Sequence, residues 1–432
     1  MGMGEGTFQH SAMMRYTIDG RDIHTIPAEI AIDLESLIAW RDWIEESGGS
    51  VRSRSGTAMS LLRASLEAPL KLRQGEHPDI GSIIGGRIHG CKAFEVYPEI
   101  EIWDISAAYA RTLASLPYNG AWRIVRKLDL DSDAEQFAQV AVCLPEMEHG
   151  PLTLRDRADT FGWWQDVYRE REFPTGTTIT GIWSSDELRA ALNVGGRIVK
   201  TNTVYRLFSS GEFPFAQWWE NVERGRSLPG KAGALAKIIG NVLWGVFAFS
   251  AKDRKLVRYA NRPGRKREKI VKELYDPAAT NHRRDLALAE LVTSKVRAKV
   301  YNEHMLPAGN RLISVCVDGG LTRPGFTPAG DHWRLKDRGT GCAFLKPYVY
   351  AYERATGQIV YKVAGVPERN KASFFQAIKA ERFNRRQQGM GNPSSKKVAL
   401  HRLSEAFPGS CIDRETASEV DRYFGSLADA NR

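Results

Sequence analysis

The chain has 432 residues, enough for two or three domains or for one large multi-lobed enzyme. Hydrophobic residues make up 42% and charged residues 26%; no unbroken apolar run of ~18 residues and no basic-then-apolar leader is legible, which argues against a membrane span or a secretory signal and for a cytoplasmic location. Cys91, Cys143, Cys316, Cys342 and Cys411 lie too far apart for a zinc knuckle or a disulfide framework, and the net charge of +10 points to a polyanionic partner.

In chain order, residues 1–12 read as a frayed polar tail and residues 33–46 as a helix with its apolar positions mainly on one side. Asp33 and Glu35 suit the N-terminal end of that helix. Gly48, Gly49 and Ser50 break it, and a second helix is expected over 57–66. Residues 92–103 read as a strand ending in Glu-Ile-Glu-Ile alternation, with Ser106 capping a helix over 107–116. The stretch 117–204 is mixed and strand-rich, with a strand over 136–144 and a capping box at Ser184-Ser185-Asp186-Glu187. Helices are expected over 213–226, 231–249 and 285–301, then a hairpin over 311–322 and strands over 343–353 and 358–363, with helical segments after Ala372. Two basic stretches stand out. Residues 252–272 carry ten Lys/Arg against two acids, and 362–402 is again mostly basic. Both contain apolar residues, so they read as folded surfaces suited to phosphate contact. Strands and helices alternate without βαβ spacing, which indicates an α+β fold.

Three places carry candidate chemistry. Asp104 ends an apolar strand at a strand-to-helix corner, where a carboxylate and the Ile105 carbonyl face one ligand, an arrangement that suits Mg²⁺. Taken alone, Asp104 reads first as a residue that merely assists capping. Asp318 ends a second apolar strand, Leu312 to Val317, and its Asp-Gly-Gly sequence is a hairpin-turn signal. Paired in one sheet, the two carboxylates would suit two metal ions about 4 Å apart. On the helix over 231–249, Lys237, Asn241, Trp244 and Gly245 share one face, which offers a cation, an amide, a flat ring and a close-approach point.

Together these motifs resemble those of family B DNA polymerases. Asp104-x-x-x-x-Tyr109 is similar to their first polymerase motif, Asp-x-x-Ser-Leu-Tyr-Pro, and Lys237-x-x-x-Asn241-x-x-Trp244-Gly245 to Lys-x-x-x-Asn-Ser-x-Tyr-Gly. The segment ending at Asp318 resembles Asp-Thr-Asp, Lys346-Pro347-Tyr348 matches Lys-x-Tyr, and Ile83-Ile84-Gly85-Gly86 resembles the Tyr-x-Gly-Gly element of protein-primed phage members. All five stand in family order across roughly Ser82 to Pro367. Departures are Ala107, Ala108 and Ala110 in the first motif, Trp244 for Tyr, Ile83 for Tyr, and one acid where Asp-Thr-Asp has two. Aligning Asp318 with the second aspartate leaves Cys316 at the first; the other register places Gly320 at the ligand position and implies a dead enzyme.

The resemblance implies a DNA-directed DNA polymerase with right-hand architecture: a palm of antiparallel sheet and helices, helical fingers and a small thumb. The implied division is 1–80 N-terminal helical region without a complete exonuclease domain, 81–116 palm, 117–205 strand-rich insertion, 206–226 palm helix, 227–300 fingers, 301–365 palm and 366–432 thumb. It assigns Asp104 and Asp318 as metal ligands, with Ile105 as a main-chain ligand, for two Mg²⁺ ions (Mn²⁺ as substitute). Tyr109 would gate the sugar; Lys237, Asn241 and either Arg224 or Arg226, here Arg226, would hold the nucleotide. Gly85, Gly86, Arg87, Trp244, Gly245, Lys346 and Tyr348 would touch DNA. Implied partners are primer-template DNA, dNTPs, and a separate exonuclease or a terminal protein. The rival readings are a catalytically degenerate polymerase-like DNA-binding protein and an enzyme making RNA or primers.

Overall fold

The computed structural model describes residues 13–18, 21–27, 34–51, 54–67, 70, 75–78, 80, 86–90, 95–153, 174–209, 211–248, 285–347, 349–363, 371–373, 375–376 and 379. Seven helices of at least seven residues and thirteen strands are found among them: β1 Met13–Ile18, β2 Arg21–Pro27, α1 Leu34–Glu46, α2 Arg54–Ala64, β3 Arg87–Gly90, β4 Glu95–Ile105, α3 Ala108–Ala114, β5 Gly120–Val125, β6 Gln136–Cys143, β7 Thr178–Ser184, α4 Ser185–Asn193, β8 Arg197–Ser209, α5 Ala216–Arg226, α6 Gly230–Ala248, α7 Leu286–Val300, β9 Leu312–Val317, β10 Gly319–Thr322, β11 Trp333–Lys346, β12 Val349–Glu353 and β13 Ile359–Val363. The fold is a mixture of helices and antiparallel sheets. The expected basic stretch 252–272 and most of 364–402 lie outside the described residues.

A seven-stranded antiparallel sheet, in the order β13-β12-β11-β4-β10-β9-β3, carries the candidate carboxylates. The apolar strand β4 lies inside it, bonded to β11 on one side and β10 on the other. Ile100, Ile102, Ile313, Leu321 and Phe344 are buried in one cluster, and Ile105, Leu312 and Val315 in another with Val296, Val300 and Tyr301. A separate four-stranded sheet, β5-β8-β6-β7, belongs to the strand-rich stretch.

Helices α1, α2, α5, α6 and α7 share one core, in which Trp40, Trp43 and Leu61 meet Trp218, Val222, Ile239, Leu243, Phe247 and Leu288. Trp43 donates its indole N–H to the Asn221 carbonyl at 3.0 Å. Its ring lies so close to α5 that a Cβ on Gly225 would come within 2.3 Å, so only glycine fits there. Helix α6 is long and apolar enough to cross a membrane by length and composition, and more than half of it is buried inside the protein. Counting unbroken apolar runs passes over this helix.

The capping box at Ser184 and Glu187 is present. Glu187 has a second task, because its carboxylate also pairs with Arg297 at 2.8 Å, and Arg297 reaches Glu290 at 2.6 Å. All three side chains are buried. This lock joins α4 to α7 and so ties the strand-rich stretch to the helical core.

Two local expectations are corrected. Ser106 does not cap α3: Ala107 holds the N-cap position in the left-handed region, φ 54, without a side-chain cap bond. The hairpin turn is also not Asp-Gly-Gly. Cys316 pairs with Gly319, so Val317 and Asp318 form the turn and both glycines lie in β10. Close approach explains them, since a Cβ on Gly319 would stand 2.4 Å from the Trp103 carbonyl and one on Gly320 2.5 Å from the His304 ring.

Candidate active site

Asp104 and Asp318 come together because β4 and β10 are antiparallel neighbours with Gly319 opposite Asp104. The Ile105 N–H donates to the Asp318 carbonyl at 2.8 Å, which fixes the hairpin tip against the end of β4. Val317 takes φ 63 at the first turn position, where a tight hairpin usually has glycine. Gly86 packs against it; a Cβ there would meet the Val317 Cγ1 at 2.5 Å and the Tyr109 hydroxyl at 2.9 Å.

Asp104 and Asp318 form a like-charge pair. Burial, and then the Asp104 charge, push the Asp318 carboxyl up to about 6. Lys336 donates to Asp104 Oδ2 at 3.2 Å. Among the described residues no group of three or more His, Cys, Asp or Glu side chains could hold a metal ion. Two carboxylates with a neighbouring carbonyl still fit Mg²⁺, which takes one or two carboxylates and completes its shell with water and phosphate oxygen.

Cations cluster beside the pair. Burial lowers the Lys237 ammonium, and so do the charges of Lys336, Arg226 and Arg334, while Asp104 opposes them. Burial also lowers Arg226, helped by Arg334 and Arg111. Arg226 therefore belongs to this cluster, whereas Arg224 turns to Ser47 and Asn221 at 2.9 and 3.2 Å. Arg334 and Lys336 escaped the sequence reading because β11 begins at Trp333, ten residues before the expected strand. The alternation Trp333-Arg334-Leu335-Lys336 was the signal.

Tyr109 and Trp244 form an aromatic platform beside the carboxylates, with ring centroids 5.1 Å apart and an interplanar angle of 39°. Trp244 is anchored by its indole N–H to the Ala289 carbonyl at 3.0 Å. Burial, with the Asp318 charge, raises the Tyr109 phenol, so it stays protonated. Asn241 is exposed and Gly245 half-buried on the same helix.

The remaining candidates fall elsewhere. Arg87, expected at the template strand, is fully buried and donates to the carbonyls of Gly150 and Pro151, with its guanidinium over the Tyr301 ring. Its charge is committed inside the fold, because an arginine taken out of water needs such acceptors. Lys346 closes β11 opposite Val349. Gly85 and Tyr348 lie outside the described residues.

No protein-family model matches the sequence, and no curated protein matches it. Solved structures do. Phi29 DNA polymerase complexed with primer-template DNA and incoming nucleotide substrates aligns with a TM-score of 0.55 at 12% identity, over 86% of this chain and 70% of that one. The orthorhombic crystal form of the same polymerase aligns with a TM-score of 0.51 at 13% identity, over 78% of this chain and 61% of that one. At these identities the likeness is one of fold.

Proposed function

We propose that this chain is a DNA-directed DNA polymerase that extends a primer on a DNA template with dNTPs. The observation that carries this reading is the juxtaposition of Asp104 and Asp318 on neighbouring strands beside a cluster of Lys237, Arg226, Arg334 and Lys336. The fold of the polymerase structures supports it, and one of those structures holds primer-template DNA and nucleotide. In this reading the seven-stranded sheet with α3 and α5 is the palm, residues 227–300 the fingers, 117–205 an insertion and 366–432 the thumb.

Asp104, Asp318 and the Ile105 carbonyl would hold two Mg²⁺ or Mn²⁺ ions. Such ions acidify the primer 3′-hydroxyl and neutralise charge on the triphosphate and its leaving group. Lys237 and Arg226 supply fixed positive charge to the triphosphate, and Asn241 one turn along α6 faces the nucleotide. Tyr109 closes the floor under the sugar, where its ring would meet a 2′-hydroxyl, which disfavours ribonucleotides. Trp244 and Gly245 lie beneath the nascent pair, and Gly86 lets the chain approach Tyr109 closely. Template bases supply the sequence information, so basic surfaces suffice for the protein's own contacts. A separate exonuclease or a terminal protein would be an accessory partner.

A second reading, a polymerase-like DNA-binding protein without activity, is favoured by the single acid of the β9–β10 hairpin and by the lysine already seated on Asp104. Primer extension separates the two. The wild type is expected to incorporate dNTPs in preference to NTPs, and Asp104→Asn or Asp318→Asn to lower the rate by at least ~10²-fold to ~10³-fold, as loss of a transition-state electrostatic group does. No extension with either Mg²⁺ or Mn²⁺ selects the second reading, and extension that survives Asp318→Asn denies Asp318 its role.

A further inference from the structure

Lys336 is the residue that interrupts the pairing of β11 with β4. Leu335 faces Trp103 and Asp337 faces Ile102, so Lys336 is the extra residue of a bulge with no cross-strand partner of its own. Bulges re-aim side chains, and this one aims an ammonium diagonally at Asp104 Oδ2, 3.2 Å away.

The other acids nearby are engaged. Asp337 accepts from Arg354 at 2.6 and 2.8 Å and from the Tyr352 hydroxyl at 2.6 Å. Glu101 pairs with Arg338 at 3.1 Å. A further neighbour, the Lys237 ammonium, is a cation and repels Lys336. Asp318 also attracts Lys336, and Asp104 is the acid that holds its ammonium at hydrogen-bond distance. The side chain of Lys336 is 54% exposed and that of Asp104 15%, so the lysine can leave into the cleft while the carboxylate cannot follow. Exposed pairs of this kind are weak and readily exchanged.

We infer that Lys336 is a resident counter-ion of the carboxylate pair, displaced from Asp104 when a divalent cation binds and drawn off by a DNA phosphate, so that DNA and the cation bind cooperatively. The inference rests on the reading of Asp104 and Asp318 as cation ligands. A +1 ammonium and a +2 ion compete for one oxygen, and a phosphate that takes up the ammonium removes the competitor. By linkage, the factor by which DNA tightens the cation is the factor by which the cation tightens DNA.

The test is Mn²⁺ binding, followed by electron paramagnetic resonance of free Mn²⁺, with and without a primer-template duplex. Four proteins are compared: wild type, Lys336→Met, Lys336→Arg and Asp104→Asn. In the wild type, DNA is expected to tighten site-bound Mn²⁺ by about 5-fold or more, within the ordinary range of coupling. Lys336→Met is expected to bind Mn²⁺ several-fold tighter than wild type without DNA and to keep little of the coupling. Lys336→Arg, which keeps the charge, is expected to retain it. Mn²⁺ lost in Asp104→Asn but indifferent to Lys336→Met overturns this inference alone. Mn²⁺ held equally by Asp104→Asn overturns the carboxylate site itself, and the counter-ion with it.

Discussion

Asp318 is an acid made unusual by position. It stands at the tip of a two-residue turn, partly buried and beside Asp104, and its carboxyl is pushed from 3.8 to about 6. A carboxyl raised on folding favours the folded state while it is protonated. Its contribution to stability is therefore intact below about 3.8 and lost as pH rises through about 6. A divalent ligand needs the ionised form, so cation binding opposes that loss and releases protons. Mn²⁺ affinity is expected to rise as pH climbs from about 5 to about 7, with about half a proton released near pH 6. Calorimetry in two buffers of different ionisation enthalpy measures this, and an affinity flat across that range would deny Asp318 its part. Val317 beside it bears the conformational cost of the turn, on the order of 1–3 kcal/mol for a β-branched residue at positive φ.

Among the elements, the Arg297 lock is where the architecture is most exposed to a single change. Two carboxylates, Glu187 from α4 and Glu290 from α7, enclose one guanidinium, and none of the three reaches solvent. Arg297→Met would leave two buried carboxylates without the guanidinium that pairs with both, at an expected cost of about 3–5 kcal/mol. Urea melts of the two proteins measure it; a loss below ~1 kcal/mol would mean that water reaches the pair. Helical elements such as α1, α5, α6 and α7 were legible in the sequence because their apolar residues repeat with the helical period and the packed core follows from that period. The first half of β11 was missed despite the alternation of Trp333-Arg334-Leu335-Lys336, because its outward residues Arg334, Lys336 and Arg338 are charged rather than β-branched or aromatic. Asp-Gly-Gly looked like a turn, yet its glycines answer to the Trp103 carbonyl and the His304 ring, which are neighbours only after folding. Arg87 failed for the same reason: its partners at Gly150 and Pro151 are over sixty residues away in sequence. Asp104 and Asp318 were singled out because a strand end marks each of them locally, and the fold sets their strands side by side; the cations of β11 near them were not singled out.

Across the whole molecule, the helical core is assembled from segments of both halves of the chain, and the seven-stranded sheet even more so. Strand β4 ends at Ile105, whereas its two partners begin only at Gly319 and Trp333. Among the described residues, no strand between those points pairs with it in this sheet. During synthesis, therefore, a strand that buries Tyr97, Ile100, Ile102 and Ile105 in the finished fold leaves the ribosome more than two hundred residues ahead of both of its neighbours. At ordinary elongation rates that is a delay of roughly ten to forty seconds. Unpaired apolar strands of this kind are templates for association with other chains. A fragment of residues 1–311 is expected to elute as large aggregates, and to be rescued when residues 312–432 are co-expressed with it. A soluble, monomeric fragment would show that the helices shelter β4 on their own. The demand that this sheet places on a cell therefore falls on its chaperones, while the chain is still being made.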